Sequence, residues 1–511
     1  MRLRAIRVLT ASAAVALCGC GAGSSSGRAT TPPPSPLPAT SSAQRASSGA
    51  GTSVVGAQLT SWPEFGLDAQ RSDATNLTTG ITAANVGSLR AQRIALAGTV
   101  DSSPVYVHGV RVAGQTRDLI LVTTSYGRTI AIDASTGALL WTFTPSGYAS
   151  WAGSAQLTNA SPIVDPDHAF VYAASPNGLI HKLSLASGRE DGAGAWPVSV
   201  TRDPRHEKLG SALNIDGPDV LATTSGYFGD APTYQGHLAL ISRSSGAVVG
   251  VFNTLCANRR TIITPTSCSQ SDSAILSRGG AVVEPGGERL LIDTGNGLWN
   301  GSTDFGDSVL ELTFPALRLR QAFTPTDQQT LNANDRDLGS SAPVLLGRKR
   351  VLVAGKDGIM RVLDLERLDG RAPSAANQLG GGELQTLPTP GGGELFTSPA
   401  VWQHGSRTSM FVADSEGTAA YALSAGRVYQ LWKNSTPGTS PVFAGGLLYV
   451  YDPSGGGIDV YAPGSARPIA RLAGAPGHWN SPIVVDGHVI EPEGDANAHS
   501  QSGSLELFSV R

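Results

Sequence analysis

Apolar residues fall along this chain in short runs of Val, Ile, Leu and Thr, and Gly, Pro, Asn or Asp breaks each run after a few positions. Few stretches follow a helical period, so the pattern predicts strands joined by tight turns. One start signal recurs: a small polar residue, then Pro or Ala, then an apolar strand. It reads "SSPVYV" at 102, "ASPIVD" at 160, "SSAPVLL" at 340, "TSPAVW" at 397, "TSPVFA" at 439 and "NSPIVV" at 480, with weaker copies "GSALNI" at 210 and "RGGAVV" at 278. Each copy leads into a second strand, such as "LILVTT", "RLLIDT" or "LLYVYD". The late copies repeat at about forty residues, the length of one four-stranded propeller blade. A β-sandwich does not repeat one start signal at this period. The expected fold is all-β: an eight-bladed β-propeller of four-stranded antiparallel blades.

The stretch "TIAIDASTGALLWTF" reads as the outer hairpin of the first blade. Asp133 can bond its own turn and Gly137 can take a positive φ. Trp141 is expected to dock on a neighbouring blade, and "LSAGRVYQLW" keeps a counterpart, Trp432.

Composition narrows the class. The 511 residues include 62 Gly and 32 Pro, only 15% are charged, and the net charge is −3. That leaves no basic footprint for nucleic acid. At the N-terminus Arg2, Arg4 and Arg7 precede "VLTASAAVAL", a run too short to span a bilayer. The following "LCGC" resembles a lipobox, with cleavage before Cys20 and lipid on its thiol. The expected organisation is a signal peptide at 1–19, a lipidated tether at 20–58 and the propeller at 59–511. The tether's Ser, Pro and Gly cannot build a core. The protein is therefore expected in the cell envelope as a monomer, anchored to a membrane and facing the extracytoplasmic side. Of four cysteines, Cys256 and Cys268 remain after processing, and an exported pair at this spacing suggests a disulfide.

The stretch "SW...GLDAQRSDATNLTTGITAANVGSLRAQRIAL" at 61–96, followed by "SSPV" and "AIDASTGALLW", resembles the opening of the pyrroloquinoline-quinone (PQQ) repeat family. That family includes quinoprotein alcohol dehydrogenases. The resemblance implies that an N-terminal strand, here 89–97, closes the ring beside "SLELFSV" in the last blade. It also implies where chemistry could sit. Residues just before each start signal, and just after each second strand, converge on one mouth of the channel. Two such stretches are "DTGNGLWNGSTDFGDS" at 293–308 and "NANDRDLGSSAP" at 332–343. By the resemblance, Asn296 would ligate calcium beside bound PQQ, and Asp335 or Asp337 would act as base, with Asp335 also near the metal. Calcium favours oxygen ligands. The family's Glu is missing from "SGYFGDAPTYQGHL" at 225–238, where Asp230 is the one shorter stand-in. A vicinal Cys pair and a haem motif are also missing. Lys356, in "AGKDG", is within reach of the channel but reads first as a surface hairpin turn. Three functions follow: a ligand-binding or interaction platform of the envelope, a PQQ- and calcium-dependent alcohol dehydrogenase, or a scaffold for envelope protein assembly.

Overall fold

The computed structural model describes residues 57–227, 232–369 and 381–510. The expected signal peptide, Cys20, nearly all of the expected tether, and Asp230 lie outside them. No helix among the described residues is long and apolar enough to cross a membrane.

Eight four-stranded antiparallel sheets form the fold, one per copy of the start signal. Blade 1 holds the strands Val105–Val112, Gln115–Thr123, Thr129–Asp133 and Leu139–Phe143, in that order from the channel outward. Six further blades repeat this order. The eighth is closed as the sequence predicts: Arg90–Leu96 pairs outside Gly503–Ser509, with Arg90 opposite Ser509 and Leu96 opposite Gly503. Joining the two termini in one sheet leaves no gap in the ring. The middle strands carry apolar residues on both faces because each sheet packs between two neighbours. Thr129–Asp133, for example, is buried at every position.

The start signal has a physical reason. Its small polar residue bonds to the neighbouring inner strand. The Ser103 N–H donates to Ser161 Oγ at 3.0 Å, and Ser103 Oγ donates to the Ser481 carbonyl at 3.3 Å. The Ser398 N–H likewise donates to Ser440 Oγ at 3.0 Å. Strands converge at the axis, so only a short side chain fits there, and its hydroxyl pairs a backbone group that would otherwise be buried unpaired.

The outer tryptophans dock as expected. Trp141 Nε1 donates to the Leu185 carbonyl of blade 2 at 2.9 Å, and Trp432 Nε1 donates to the Pro463 carbonyl of blade 7 at 2.8 Å. A Cβ on Gly188 would come within 2.4 Å of the Trp141 ring, so glycine there makes room for the indole. Trp141 is half-buried rather than enclosed.

One feature was not visible as a strand. Residues 59–79 cross the channel and bond to the inner strands of six blades and to the first turn of blade 8. Trp62 exchanges two backbone hydrogen bonds with Tyr106 of blade 1, at 2.9 and 2.8 Å. The Pro63, Ala69, Ser72 and Asp73 carbonyls accept from Val164, Val283, Val401 and Phe443, at 2.8–2.9 Å. Leu59 and Thr79 accept from Asp486 and Gly487 of blade 8. Asn214 Nδ2 of blade 3 donates to the Ala69 carbonyl at 3.0 Å. At the centre, Arg71 is 1% exposed. Its guanidinium donates to the Gly279, Phe65 and Leu213 carbonyls and pairs with Glu64 at 2.8 Å. This segment plugs the channel across the edges of the inner strands.

Candidate functional site

The opposite end, where inner strands begin, is open. A cavity of about 520 Å³ lies there. It is lined by residues that precede inner strands (Lys208, Arg278, Asp335, Asp337, Phe396, Trp479) and by residues that follow second strands (Ser225, Asn296, Lys356). These are the two positions the repeat predicts for a shared mouth.

In one corner the sequence-predicted residues meet. The Asn296 N–H donates to Asp337 Oδ1 at 2.6 Å. Lys356 Nζ pairs with Asp337 Oδ2 at 2.5 Å and with Asp335 Oδ1 at 3.0 Å. Asp337 is nearly enclosed, at 5% exposure, whereas Asp335 is 58% exposed. Burial raises the Asp337 carboxyl above its ordinary range, against the pull of Lys356 and the Asn296 N–H. Burial also works against the Lys356 charge, but Asp337 and Asp335 hold the ammonium above its usual range. A Cβ on Gly295 would fall 2.3 Å from Asp337 Oδ1, so the Thr-Gly-Asn turn needs its glycine to let the carboxylate approach. The expectation of a surface turn at Lys356 is corrected here. Its loop leads the side chain into the cavity because two carboxylates draw it there.

A calcium ion, which the resemblance implies, needs six to eight oxygens in this class of site. Among the described residues, the carboxylates of Asp335 and Asp337 already share the Lys356 ammonium, and Asp337 also takes the Asn296 N–H. That donor set does not make a calcium cage. The ammonium does the neutralising.

The facing wall was not foreseen. Arg278 donates through Nη1 to the Gly210 carbonyl at 3.3 Å and through Nη2 to the Asp101 carbonyl. Lys208 Nζ forms no ion pair or hydrogen bond among the described residues, although the side chain reaches the cavity. Burial, then the nearby Arg278, lowers its ammonium to about 8, while Asp101 pulls the other way. Asp101 is itself buried, which alone would raise it. Hydrogen bonds from His478 and the Ala496 N–H hold it down at about 2. His478, Trp479 and Phe396 form a stacked wall, with ring centroids 4.1 Å apart for the first pair and 5.2 Å for the second. Arg278 lies 5.6 Å from the Trp479 centroid. Asp101, Lys208, Phe396, His478 and Trp479 sit just before a start signal and Arg278 opens one, so the repeat rule applied at every copy points to this wall.

Elsewhere, blade 2 sets Ser175, His181 and Glu190 in a row. Ser175 Oγ lies 2.7 Å from His181 Nε2, and His181 Nδ1 contacts Glu190. Ser175 is 0% exposed and bonds to Asn177 as well, so no substrate reaches the hydroxyl and the row is structural. Cys256 and Cys268 form the predicted disulfide.

Residues 83–300 match the family model described as outer membrane protein assembly factor BamB. No curated protein matches the chain. Among solved structures, quinohemoprotein alcohol dehydrogenase from Comamonas testosteroni is 15% identical with a TM-score of 0.63, covering 89% of this chain and 81% of that one. Quinohemoprotein alcohol dehydrogenase ADHIIG from Pseudomonas putida HK5 is 14% identical with a TM-score of 0.65, covering 88% and 80%. A europium-containing methanol dehydrogenase is 14% identical with a TM-score of 0.61, covering 88% and 98%. At such identities the likeness establishes the fold alone, an eight-bladed β-propeller, and leaves the activity to the site.

Proposed function

We propose that this protein is an extracytoplasmic ligand-binding propeller, tethered to an envelope membrane through Cys20, that holds a small molecule at the open mouth of its channel. The observation that carries this reading is the cavity itself. It is walled by aromatic rings and cations, and its acidic corner is already neutralised by Lys356. A concave site with a few convergent polar groups is where small ligands bind. The plug leaves this end as the entrance.

A second reading, a PQQ-dependent alcohol dehydrogenase, is favoured by the meeting of Asn296, Asp335 and Asp337 in that corner. An exposed carboxylate such as Asp335 could accept a substrate proton. Titrating PQQ into the purified protein with and without calcium, while assaying dye reduction with short alcohols, separates the two. Binding that ignores calcium and gives no turnover supports the binding platform. Calcium-dependent binding with turnover overturns it in favour of the dehydrogenase.

A further inference from the structure

At the plugged end, two neighbouring blades bring three ligating side chains together. In blade 1 the inner strand bulges: Val107 pairs with Leu119 and Val110 with Arg117, so His108 and Gly109 both stand opposite Asp118. A bulge of this kind re-aims a side chain. Here it sets His108 Nδ1 2.8 Å from Asp118 Oδ1. In blade 8 the strands Ile483–Val485 and His488–Glu493 are joined by Asp486 and Gly487 alone. Both take positive φ, at +48° and +80°, as a tight two-residue hairpin requires. That turn carries Asp486 Oδ2 to 3.9 Å from the same His108 nitrogen. The three ligand atoms all lie within 4.8 Å of one another.

The charges here are unbalanced. Two carboxylates face one imidazole, and neither pairs with a Lys or Arg among the described residues. Carboxylates this close repel. A proton on His108 Nδ1 reaches Asp118 but not Asp486, since 3.9 Å is too long for a hydrogen bond. A dication at that point meets both. Each carboxylate is also held from behind. The Gly109 N–H donates to Asp118 Oδ1 at 2.8 Å, Tyr106 Oη donates to Asp486 Oδ2 at 3.1 Å, and Gln58 Nε2 donates to Asp486 Oδ1 at 2.5 Å. Such outer contacts orient metal ligands. His108 is exposed and the two carboxylates are half-buried, so an ion reaches them from solvent. The other group of this kind among the described residues, Asp101, His478 and Asp495, differs. Asp101 already accepts from His478 Nδ1, the Trp479 and Ala496 N–H groups and Asn159 Nδ2.

We infer that His108, Asp118 and Asp486 form a binding site for a divalent ion of the zinc class, at the seam between blades 8 and 1. One imidazole nitrogen and two carboxylate oxygens are donors that zinc takes, with water in the fourth position. Ligands at about 2.0–2.2 Å in a tetrahedron stand about 3.4 Å apart. The observed separations fall on either side of that spacing. The ion takes the place of any proton on His108 Nδ1, and that proton leaves to solvent. Once bound, it ties the inner strand of blade 1 to the turn of blade 8 and stabilises the folded ring by mass action.

The test is calorimetric titration of the full propeller with zinc chloride, paired with thermal melts and with calcium chloride as the hard-ion comparison. A single zinc should bind per chain and raise the melting temperature, and EDTA should reverse the rise. His108→Asn and Asp118→Asn should each weaken binding about tenfold or more, since even the contacts behind a metal ligand are worth about 10–100-fold. In both variants the zinc-dependent rise in melting temperature should shrink to match. His478→Gln, in the other group, should bind zinc as wild type does. Circular dichroism on each variant shows that the propeller is folded. Unchanged zinc affinity in either His108→Asn or Asp118→Asn overturns the inference. So does loss of binding in His478→Gln, a preference for calcium over zinc, or no zinc binding at all. None of these results bears on the ligand at the open mouth, which the PQQ titration tests separately.

Discussion

The two ends of the channel are finished in opposite ways. At one, residues 59–79 reach seven blades mostly through backbone hydrogen bonds, and a single buried arginine fills the axis. At the other, loops from most blades stop short of the axis and leave a cavity of about 520 Å³. Inner-strand edges are a run of backbone donors and acceptors, and such edges invite pairing. The plug meets that demand with the chain's own carbonyls. The mouth is built from side chains instead, and on one wall the Lys208 ammonium has no ion-pair or hydrogen-bond partner among the described residues. A single repeat thus yields a closed end that serves stability and an open end that can serve binding.

If the plug is structural, breaking it should cost more than any change at the mouth. Arg71→Ala removes a guanidinium that meets three carbonyls and Glu64. Breaking a buried ion pair by removing one partner costs about 3–5 kcal/mol. A thermal melt unchanged from wild type would show that the ring holds without its plug. The plug should also carry a pH signature. Burial raises Glu64 from 4.5 to about 7, against the opposing pull of Arg71. Between those values the native state binds more protons than the unfolded chain, so stability falls as pH rises through that window. Asp68 and Asp73, raised chiefly by burial as well, act in the same sense. Glu64→Gln should flatten the slope without abolishing it. Denaturant midpoints at pH 5 and pH 7 measure this, and an unaltered slope would locate the titration elsewhere.

What could be read from the sequence follows the same division. The eight start signals and the disulfide were legible because each is a local pattern repeated or paired, and the closing strand was legible through the family resemblance. Asn296, Asp335 and Asp337 were legible through the resemblance and do meet in space. Lys356 was misread because a turn sequence says nothing of the carboxylates that reach it from the preceding connection. Lys208 and Arg278 escape the sequence reading because one lies before "GSALNI" and the other opens "RGGAVV", the two weakest copies of the signal. The plug was hidden for a different reason. Its bonds are single backbone contacts to partners far along the chain, and no side-chain periodicity records them.

The disulfide joins the frame to the mouth. Cys268 Sγ lies 3.6 Å from Gln235 Nε2. The chain after it donates from the Asp272 N–H to the Tyr234 carbonyl at 2.9 Å and from the Ser273 N–H to the Asn296 carbonyl at 2.6 Å. Tyr234 and Asn296 both line the cavity. Replacing both cysteines by serine should destabilise the protein by up to about 3 kcal/mol in the chain-entropy model and weaken ligand binding together with it. A loss of stability with binding untouched would separate the disulfide from the mouth.

The smallest expected effect is the most discriminating, because it compares two neighbouring carboxylates within the open end. Asp337 is enclosed and holds both the Asn296 N–H and Lys356. Asp337→Asn weakens both contacts and should cost roughly 1–3 kcal/mol, the range for hydrogen bonds to charged groups and for buried partners left unpaired. Asp335 is 58% exposed and has φ of +51°, a conformation that asparagine also tolerates. Its pair with Lys356 is the solvent-screened kind, so Asp335→Asn should change stability by less than about 1 kcal/mol. That near-neutrality makes Asp335→Asn a clean functional probe. In a ligand-binding propeller the variant should melt and bind as wild type does. In a dehydrogenase with Asp335 as base, it should bind the cofactor normally yet lose alcohol-dependent dye reduction. Melting, calorimetry and the dye assay on this one variant, with Asp337→Asn beside it, decide whether the acidic corner of the mouth holds a loop in place or moves a proton.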